Sequence, residues 1–369
     1  MKTKILFFHF DLGNGGAEKV LVNLLRGLDN DKYEVTLYLL FNHGVNLSSL
    51  PSNVKLLYLF NRAPFRGIIH LLKILSPKLL HKLLIKDKYD IEVAYIEGAP
   101  TRIISGCPNK ESKLLAWVHT QANEILFSSF RTINEAKLAY QNFNKVLFVS
   151  EIAMSTFSAK TGWTDIPMGV CHNVIDVNEI MTLSTDVINV ELSTSKINLC
   201  SVGRLTPLKG YIRLIHILGN LKNKISLDWQ LYILGQGEQK SLLEKTIMEN
   251  GLQEHVHLLG YDKNPYKYLS KMDLFICSSY AEGYSTAVTE SIIVGTPIIT
   301  TNCAGMNEII GDSEAGIIVE NTDSALSNVL EQLLTGNIDI QSLKANAKMR
   351  SARLSQSNIE EFEYVINED

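Results

Sequence analysis

Leu274–Gly311 reads LFICSSYAEGYSTAVTESIIVGTPIITTNCAGMNEIIG, and its punctuation decides the fold. Leu274–Cys277 is a short apolar run, the mark of a buried strand, and it ends in the small polar residues Ser278 and Ser279. The loop Tyr280–Ser285 carries Glu282 beside Gly283. Ser285 and Thr286 suit a helix N-cap, so a helix is expected from Thr286, with Glu290 in its first turn. Gly295-Thr296-Pro297 stops that helix, and Ile298–Thr301 reads as the next buried strand.

Such a strand–loop–helix–strand unit gathers its polar groups at the carboxyl end of the strand, where open α/β sheets bind ligands. The helix N-terminus offers N–H donors and positive potential, which suit an anion such as a diphosphate. Acidic side chains beside an anion site need a second kind of group, and sugar or ribose hydroxyls supply one. A carboxylate accepts charge-assisted hydrogen bonds from a vicinal diol. Anion plus diols describes a nucleotide sugar.

Glu282 and Glu290, with seven residues between them, resemble the E-x7-E signature of the retaining glycosyltransferases of family 4, which have the GT-B fold. The surrounding EGYSTAVTES and GTPIITTNCAGMNEII resemble bacterial members that build capsule, exopolysaccharide or O-antigen. The resemblance implies an α/β chain of two Rossmann-like domains whose parallel sheets face each other across a cleft. It also implies that Glu282, set among Gly283, Tyr284, Ser285 and Thr286, contacts the donor sugar, and that Glu290 binds the nucleotide ribose. Two Glu at this spacing also arise by chance, as a favourable helix acid and a solvated loop charge. The strand, Gly turn and G-T-P stop around them favour the functional reading.

A chain of 369 residues, 46% hydrophobic and 20% charged, is globular in composition and long enough for two domains. Cys107, Cys171, Cys200, Cys277 and Cys303 are scattered and odd in number, which points to reduced thiols in a cytoplasmic compartment, not a disulfide framework or zinc site. The apolar run ILFFHF after Lys4 is too short for a signal peptide. The net charge of −4 divides unevenly. Up to Ile175 there are 20 Lys and Arg against 14 Asp and Glu, a net of +6; from Asp176 onward there are 15 against 25, a net of −10. A basic N-terminal half points to an anionic partner there.

Lys4–His9 reads as a buried parallel strand running into the Gly-rich turn Asp11–Glu18 and a helix over Lys19–Leu28. That turn is neither a Walker A loop nor a full dinucleotide fingerprint. GGAEKVLVNLLRGL resembles the first loop and helix of the same family, which implies that Gly15 and Gly16 let the backbone approach donor phosphates and acceptor. Asp29-Asn30-Asp31 spells D-x-D, but between a helix and the strand Glu34–Leu39 it reads as a turn. Ile68–Lys86 is interrupted by Lys73, Pro77, Lys78 and Lys82, which rules out a comfortable membrane span. Ser76-Pro77 opens a fresh helix in which Lys78, Lys82 and Lys86 form one stripe opposite Leu79, Leu80, Leu83 and Leu84, with Arg62, Arg66 and Lys73 just upstream. The helix serves either at an anionic leaflet or as an ordinary layer of a Rossmann-like domain with a solvated Lys face.

Lys113–Val118 is a strand leading to His119, and AWVHT resembles the context of the family's cleft histidine on the donor-sugar or acceptor side. Lys145–Ser150 is another strand, and Val170–Asp176 resembles the family's last strand before the hinge. The domains are then 1–175, which binds acceptor; a polar linker, 176–195; a nucleotide-sugar domain, 196–345; and a terminal helix, 346–369, of the kind that crosses back to the first domain. Gly203–Gly210 is a strand-to-helix turn in which Arg204 and Lys209 converge on one anion. It resembles the family's G-R-x4-K-G loop, whose Arg and Lys neutralise the departing diphosphate. Gly235 follows the next strand, and Tyr261 stands where the resemblance seats the base.

The expected activity is transfer of a sugar, with retention, from a UDP-linked donor to a polyprenyl-diphosphate-linked saccharide, peripherally at the inner face of the cell membrane. Arg204, Lys209, Glu282 and His119 are the expected catalytic groups, with no metal, no cofactor beyond the nucleotide sugar, and no nucleic acid partner. The alternatives are a glycoside hydrolase, for which the Arg–Lys site is superfluous, a sugar-nucleotide epimerase, and a non-catalytic nucleotide-sugar-binding partner of another transferase.

Overall fold

The computed structural model describes residues 2–368 apart from 14, 66, 121–123, 223, 225–226 and 355–358. Asn14 of the first Gly-rich turn and Arg66 of the basic stretch lie outside the described residues. Two compact units divide the chain: residues 1–175 with 357–369, and residues 176–356.

The first unit holds a seven-stranded sheet: β1 (Thr3–His9), β2 (Tyr33–Phe41), β3 (Lys55–Phe60), β4 (Ile91–Ala94), β5 (Lys113–Val118), β6 (Lys145–Phe148) and β7 (Met168–Val170). Their order is 3-2-1-4-5-6-7, and every pairing is parallel. The second unit holds six parallel strands: β8 (Ile197–Val202), β9 (Trp229–Leu234), β10 (Val256–Gly260), β11 (Leu274–Cys277), β12 (Ile298–Thr301) and β13 (Gly316–Val319). Their order, 10-9-8-11-12-13, repeats the pattern of the first sheet. Strands covered on both faces must be apolar throughout, as ILFFH of β1 and LFIC of β11 are. The strand order of each sheet reverses between its first and fourth strands, so the ends of β1 and β4, and of β8 and β11, are where ligands are expected. This is a two-unit, parallel-sheet, Rossmann-like α/β chain.

The helices are started by side chains that spare an orphan N–H. Thr132, Ser150, Asp176, Ser285 and Thr322 each accept from the backbone N–H three residues on. In the turn before β2 the Asp29 carboxylate accepts from Asp31 N–H, two residues on.

Four details differ from the sequence reading. The last strand of the first sheet is Met168–Val170, not Val170–Asp176, because His172 N–H turns to the Glu361 carboxylate at 2.8 Å instead of a neighbouring strand. Residues 176–195 are only partly a connector. Asp176 caps a helix, Val177–Leu183, whose Ile180 is buried and whose end is tied to the second unit by Asn264 and Ser270. The boundary at 345 falls inside a helix, Ile340–Leu354, which stays with the second unit through Lys344–Asp273 at 2.7 Å and Arg350 to the Glu308 and Ile309 carbonyls. The helix that joins the first unit is Ile359–Asn367.

That last helix lays Phe362, fully buried, against Trp117 (ring centroids 5.7 Å apart) and Phe7 (5.7 Å). Lys113 donates to the carbonyls of Val365 and Ile366, the C-terminal end of its dipole, and Lys145 pairs with Glu368. The segment also changes the charge balance. Residues 357–369 hold five acidic and no basic side chains, so the first unit has 20 positive against 19 negative charges, a net of +1. The basic excess read from residues 1–175 is therefore answered within the unit and does not by itself call for an anionic partner.

The helix opened by Ser76 and Pro77 spans Pro77–Leu84. Lys78 and Lys82 are exposed on it, but Lys86 lies beyond its end, where its ammonium bonds back to the Lys82 carbonyl at 2.9 Å. Leu80 is buried, while Leu79 and Leu83 are exposed, as are Leu71 and Ile74 just upstream. The leucines are thus split between core and surface. Among the described residues no helix is long and apolar enough to cross a membrane.

Candidate active site

In the second unit, the loops after β8 and β11 meet at the point where the strand order reverses. The first is compact because Gly210 adopts φ +67°, and a Cβ there would stand 2.1 Å from the Ser278 carbonyl. Gly235 (φ +149°) similarly lets the β9 turn lie against Gly203, whose carbonyl a Cβ would meet at 1.9 Å. This close packing brings together residues far apart in sequence. Lys209 Nζ stands 2.7 Å from Glu282 Oε1, with both side chains largely buried. The Ser279 hydroxyl donates to the same carboxylate, and the Cys277 thiol lies 4.0 Å from it.

Burial alone would lower the Lys209 ammonium, but the facing Glu282 carboxylate outweighs it and holds the pKa above the ordinary lysine value. Lys209 is therefore a fixed positive charge. Arg204 is exposed, its side chain makes no hydrogen bond or ion pair among the described residues, and it lies near enough to Lys209 for the two cations to repel. Two cations converging with one carboxylate make a site for a ligand that carries both an anion and hydroxyls.

Ser285 caps the helix Thr286–Ile293, and its hydroxyl accepts from Val288 N–H. Glu290 is the fifth residue of that helix, one turn further in than the first-turn placement read from the sequence. Its carboxylate is buried and accepts from the Tyr266 hydroxyl at 3.3 Å. Tyr261, after β10, is half exposed.

The first unit has a polar cluster of its own at the ends of β1, β4 and β5. Gly15 precedes the helix Gly16–Gly27 and, having no side chain, does not cap it. Gly13 N–H donates to Asp11. His119 packs against Tyr95 (ring centroids 4.8 Å) and Trp117 (5.8 Å), and its backbone N–H donates to Glu97 at 2.9 Å. Burial, reinforced by neighbouring His9, lowers the His119 imidazole to about 3; burial lowers His9 to about 4 against its bond to the Asp11 carbonyl. Both rings are neutral, and the Nε2 atoms of both, with Tyr95 Oη and Trp117 Nε1, have no hydrogen-bond partner among the described residues. Burial raises the Glu97 carboxyl, although His119 N–H and Thr120 work against it.

His9 and Glu97 were missed in the sequence. The signal was present, because each lies just past or at the end of a central strand, the argument that singled out His119. Among the described residues, the group able to offer three metal-ligand atoms within 4.8 Å is His81, Glu92 and Cys107. Glu92 there accepts from His81 at 2.7 Å and from the Cys107 thiol at 3.2 Å.

Residues 186–350 match the family model Glycosyl transferases group 1. The chain is similar along 96% of its length to an N-acetylgalactosamine-N,N'-diacetylbacillosaminyl-diphospho-undecaprenol 4-alpha-N-acetylgalactosaminyltransferase of Campylobacter jejuni, 27% identical over 373 residues and 97% of that protein. Among solved structures, Anabaena HepE in complex with UDP and glucose superposes at TM-score 0.74 with 18% identity, covering 100% of both chains. Sucrose-phosphate synthase from Thermosynechococcus elongatus superposes at 0.77 with 15% identity, covering 99% of this chain and 98% of that one. The two parallel-sheet units thus share the GT-B fold of these structures, and the match to the glycosyl transferases group 1 model lies in residues 186–350.

Proposed function

We propose that the chain is a retaining glycosyltransferase that moves a sugar from a UDP-linked donor to a lipid-linked saccharide. The observation that carries the reading is the Lys209–Glu282 pair beside Arg204 at the end of β8 and β11. The donor diphosphate would take the two cations, and Glu282 would turn its freed lone pairs to the sugar hydroxyls. As the bond from C1 to the diphosphate breaks, negative charge grows on the leaving oxygen, and cations already in place stabilise it without reorganising. The acceptor oxygen forms its bond to C1 on the same face, and its proton passes to the leaving phosphate. This places the positive charge on protein side chains, so no metal is needed for it. His119, neutral, is suited to hydrogen-bonding hydroxyls rather than to carrying charge. Glu290 is assigned to the ribose, with Gly203, Gly235, Tyr261 and the Gly283–Thr286 turn completing the donor set.

The acceptor class and the placement at a membrane surface are supported by the Campylobacter relative, whose name specifies a diphospho-undecaprenol acceptor, and by the exposed Lys78, Lys82, Leu79 and Leu83. The test is release of UDP from a panel of UDP-sugars with and without a polyprenyl-diphosphate saccharide, followed by NMR of the anomeric proton. UDP released only with acceptor, and a product that keeps the donor's configuration, is expected. Free sugar released without acceptor would indicate a hydrolase, and an altered nucleotide sugar an epimerase.

A further inference from the structure

In the second unit a cavity of about 370 Å³ opens between the helices Tyr211–Leu221 and Asp323–Leu334, lined by Arg213, His216, Asn220, Tyr280, Asp323 and Ser327. It contains none of Arg204, Lys209, Glu282 or Glu290. Its base is Arg213, 4% exposed, whose Nε and Nη2 donate to the Ser278 carbonyl (2.8 and 2.5 Å) and whose Nη2 also reaches Ser279 O and Asn321 Oδ1. Its Nη1 has no hydrogen-bond partner among the described residues, and Asp323 Oδ1 stands off at 3.6 Å. The guanidinium carbon lies 3.9 Å from the centroid of the Tyr280 ring, which is half exposed.

We infer that this cavity is a second, non-catalytic saccharide-binding site, taking a neutral hexose unit. The size is within the range of small-ligand pockets, roughly 300–1,000 Å³. The charge selects among ligands. A phosphate at Arg213 would meet the Asp323 carboxylate, and an apolar ligand would take Asp323, Asn220 and Ser327 out of water without hydrogen bonds, at a cost. A neutral diol suits this lining: the exposed Asp323 carboxylate accepts from its hydroxyls, and the buried Arg213 beneath holds that carboxylate in place. Asn220 and Ser327 donate or accept as the ring requires, and Tyr280 supplies an aromatic wall for sugar C–H groups. The site stands independently of the proposed transfer reaction.

The test is saturation-transfer difference NMR on the whole chain with methyl α-glucopyranoside, methyl α-galactopyranoside and N-acetylglucosamine, each with and without saturating UDP. At least one sugar is expected to receive saturation equally in both arms. Ser327→Trp, which fills the cavity, should abolish that signal, and Tyr280→Ala should weaken affinity about three- to tenfold. Should Ser327→Trp fail to match the parent's melting temperature, Asn220→Trp serves the same purpose from the other helix. No signal from any sugar, a signal displaced by UDP, or one unchanged by filling the cavity would overturn the inference. A separate UDP titration reads the donor site, so failure of that reading is distinguishable from failure of this one.

Discussion

At the scale of single residues, Lys209 and Arg204 differ in a way that predicts different phenotypes. Lys209 already holds Glu282, so Lys209→Ala leaves a largely buried carboxylate without its cation and is expected to lower both turnover and melting temperature. The Arg204 side chain holds no partner among the described residues, and Arg204→Ala should lose about 10²–10³ in turnover, the scale for one preorganised charge stabiliser, with an unchanged melt. Equal turnover in Arg204→Ala and the parent would remove Arg204 from the site. The neutral histidines make a second prediction. An unfolded histidine titrates near 6.5, whereas folded His9 and His119 do so at about 4 and about 3. Below pH 6.5 the unfolded chain binds more protons, so stability falls as pH falls; from pH 6.5 to 5 the loss is about 1.5 kcal/mol for each ring. Asp11 and Glu97, raised by burial, work in the opposite direction at lower pH. Urea titrations of His9→Asn/His119→Asn should show a much flatter profile over that window. A profile parallel to the parent's would mean that neither ring is held neutral. The cations and Glu282 were legible in the sequence because each follows a strand and precedes a helix in a Gly-marked turn. Their ion pair was not, since Lys209 and Glu282 are brought within 2.7 Å by the β8–β11 pairing, a contact across 73 residues.

Elements were legible where the apolar run was continuous, and misread where one buried residue sat in polar surroundings. Ile180 is the case in point, because the Asn-, Thr- and Ser-rich composition around it hides the helix it anchors. The destination of the helix Ile359–Asn367 was likewise not fixed by its own amphipathic pattern, because its partners Phe7 and Trp117 lie hundreds of residues earlier. Phe362→Ala should cost about 3–5 kcal/mol, the range for emptying a buried aromatic site, read by urea unfolding. A cost below 1 kcal/mol would mean the helix is an appendage. The helix Pro77–Leu84 invites a different test. If it meets an anionic leaflet, Lys78→Glu/Lys82→Glu should reduce co-sedimentation with anionic vesicles by at least tenfold, at about 1 kcal/mol per lysine. Leu83→Ser, at an exposed position, should lower binding further without lowering stability. Indifference of the parent to anionic vesicles would leave the helix as a layer of the first unit.

On the scale of the whole molecule, the chain leaves its first unit at residue 175 and supplies the final piece of it only after residue 356. Synthesis is directional, so the unit begun first is finished last. At roughly 5–20 residues per second, the intervening 181 residues occupy about 10–40 s of translation. Through that interval the Phe7 and Trp117 surface has no Phe362 to cover it, whereas residues 176–356 can close their own sheet as they emerge. A chain stopped after Leu354 should therefore show the second unit protected from hydrogen exchange at Trp229–Leu234 while Lys113–Val118 exchanges readily. Equal protection of both strands would mean the first unit closes unaided. If the exchange pattern holds, the newly made protein is most exposed to chaperones and proteases through the half that was translated earliest.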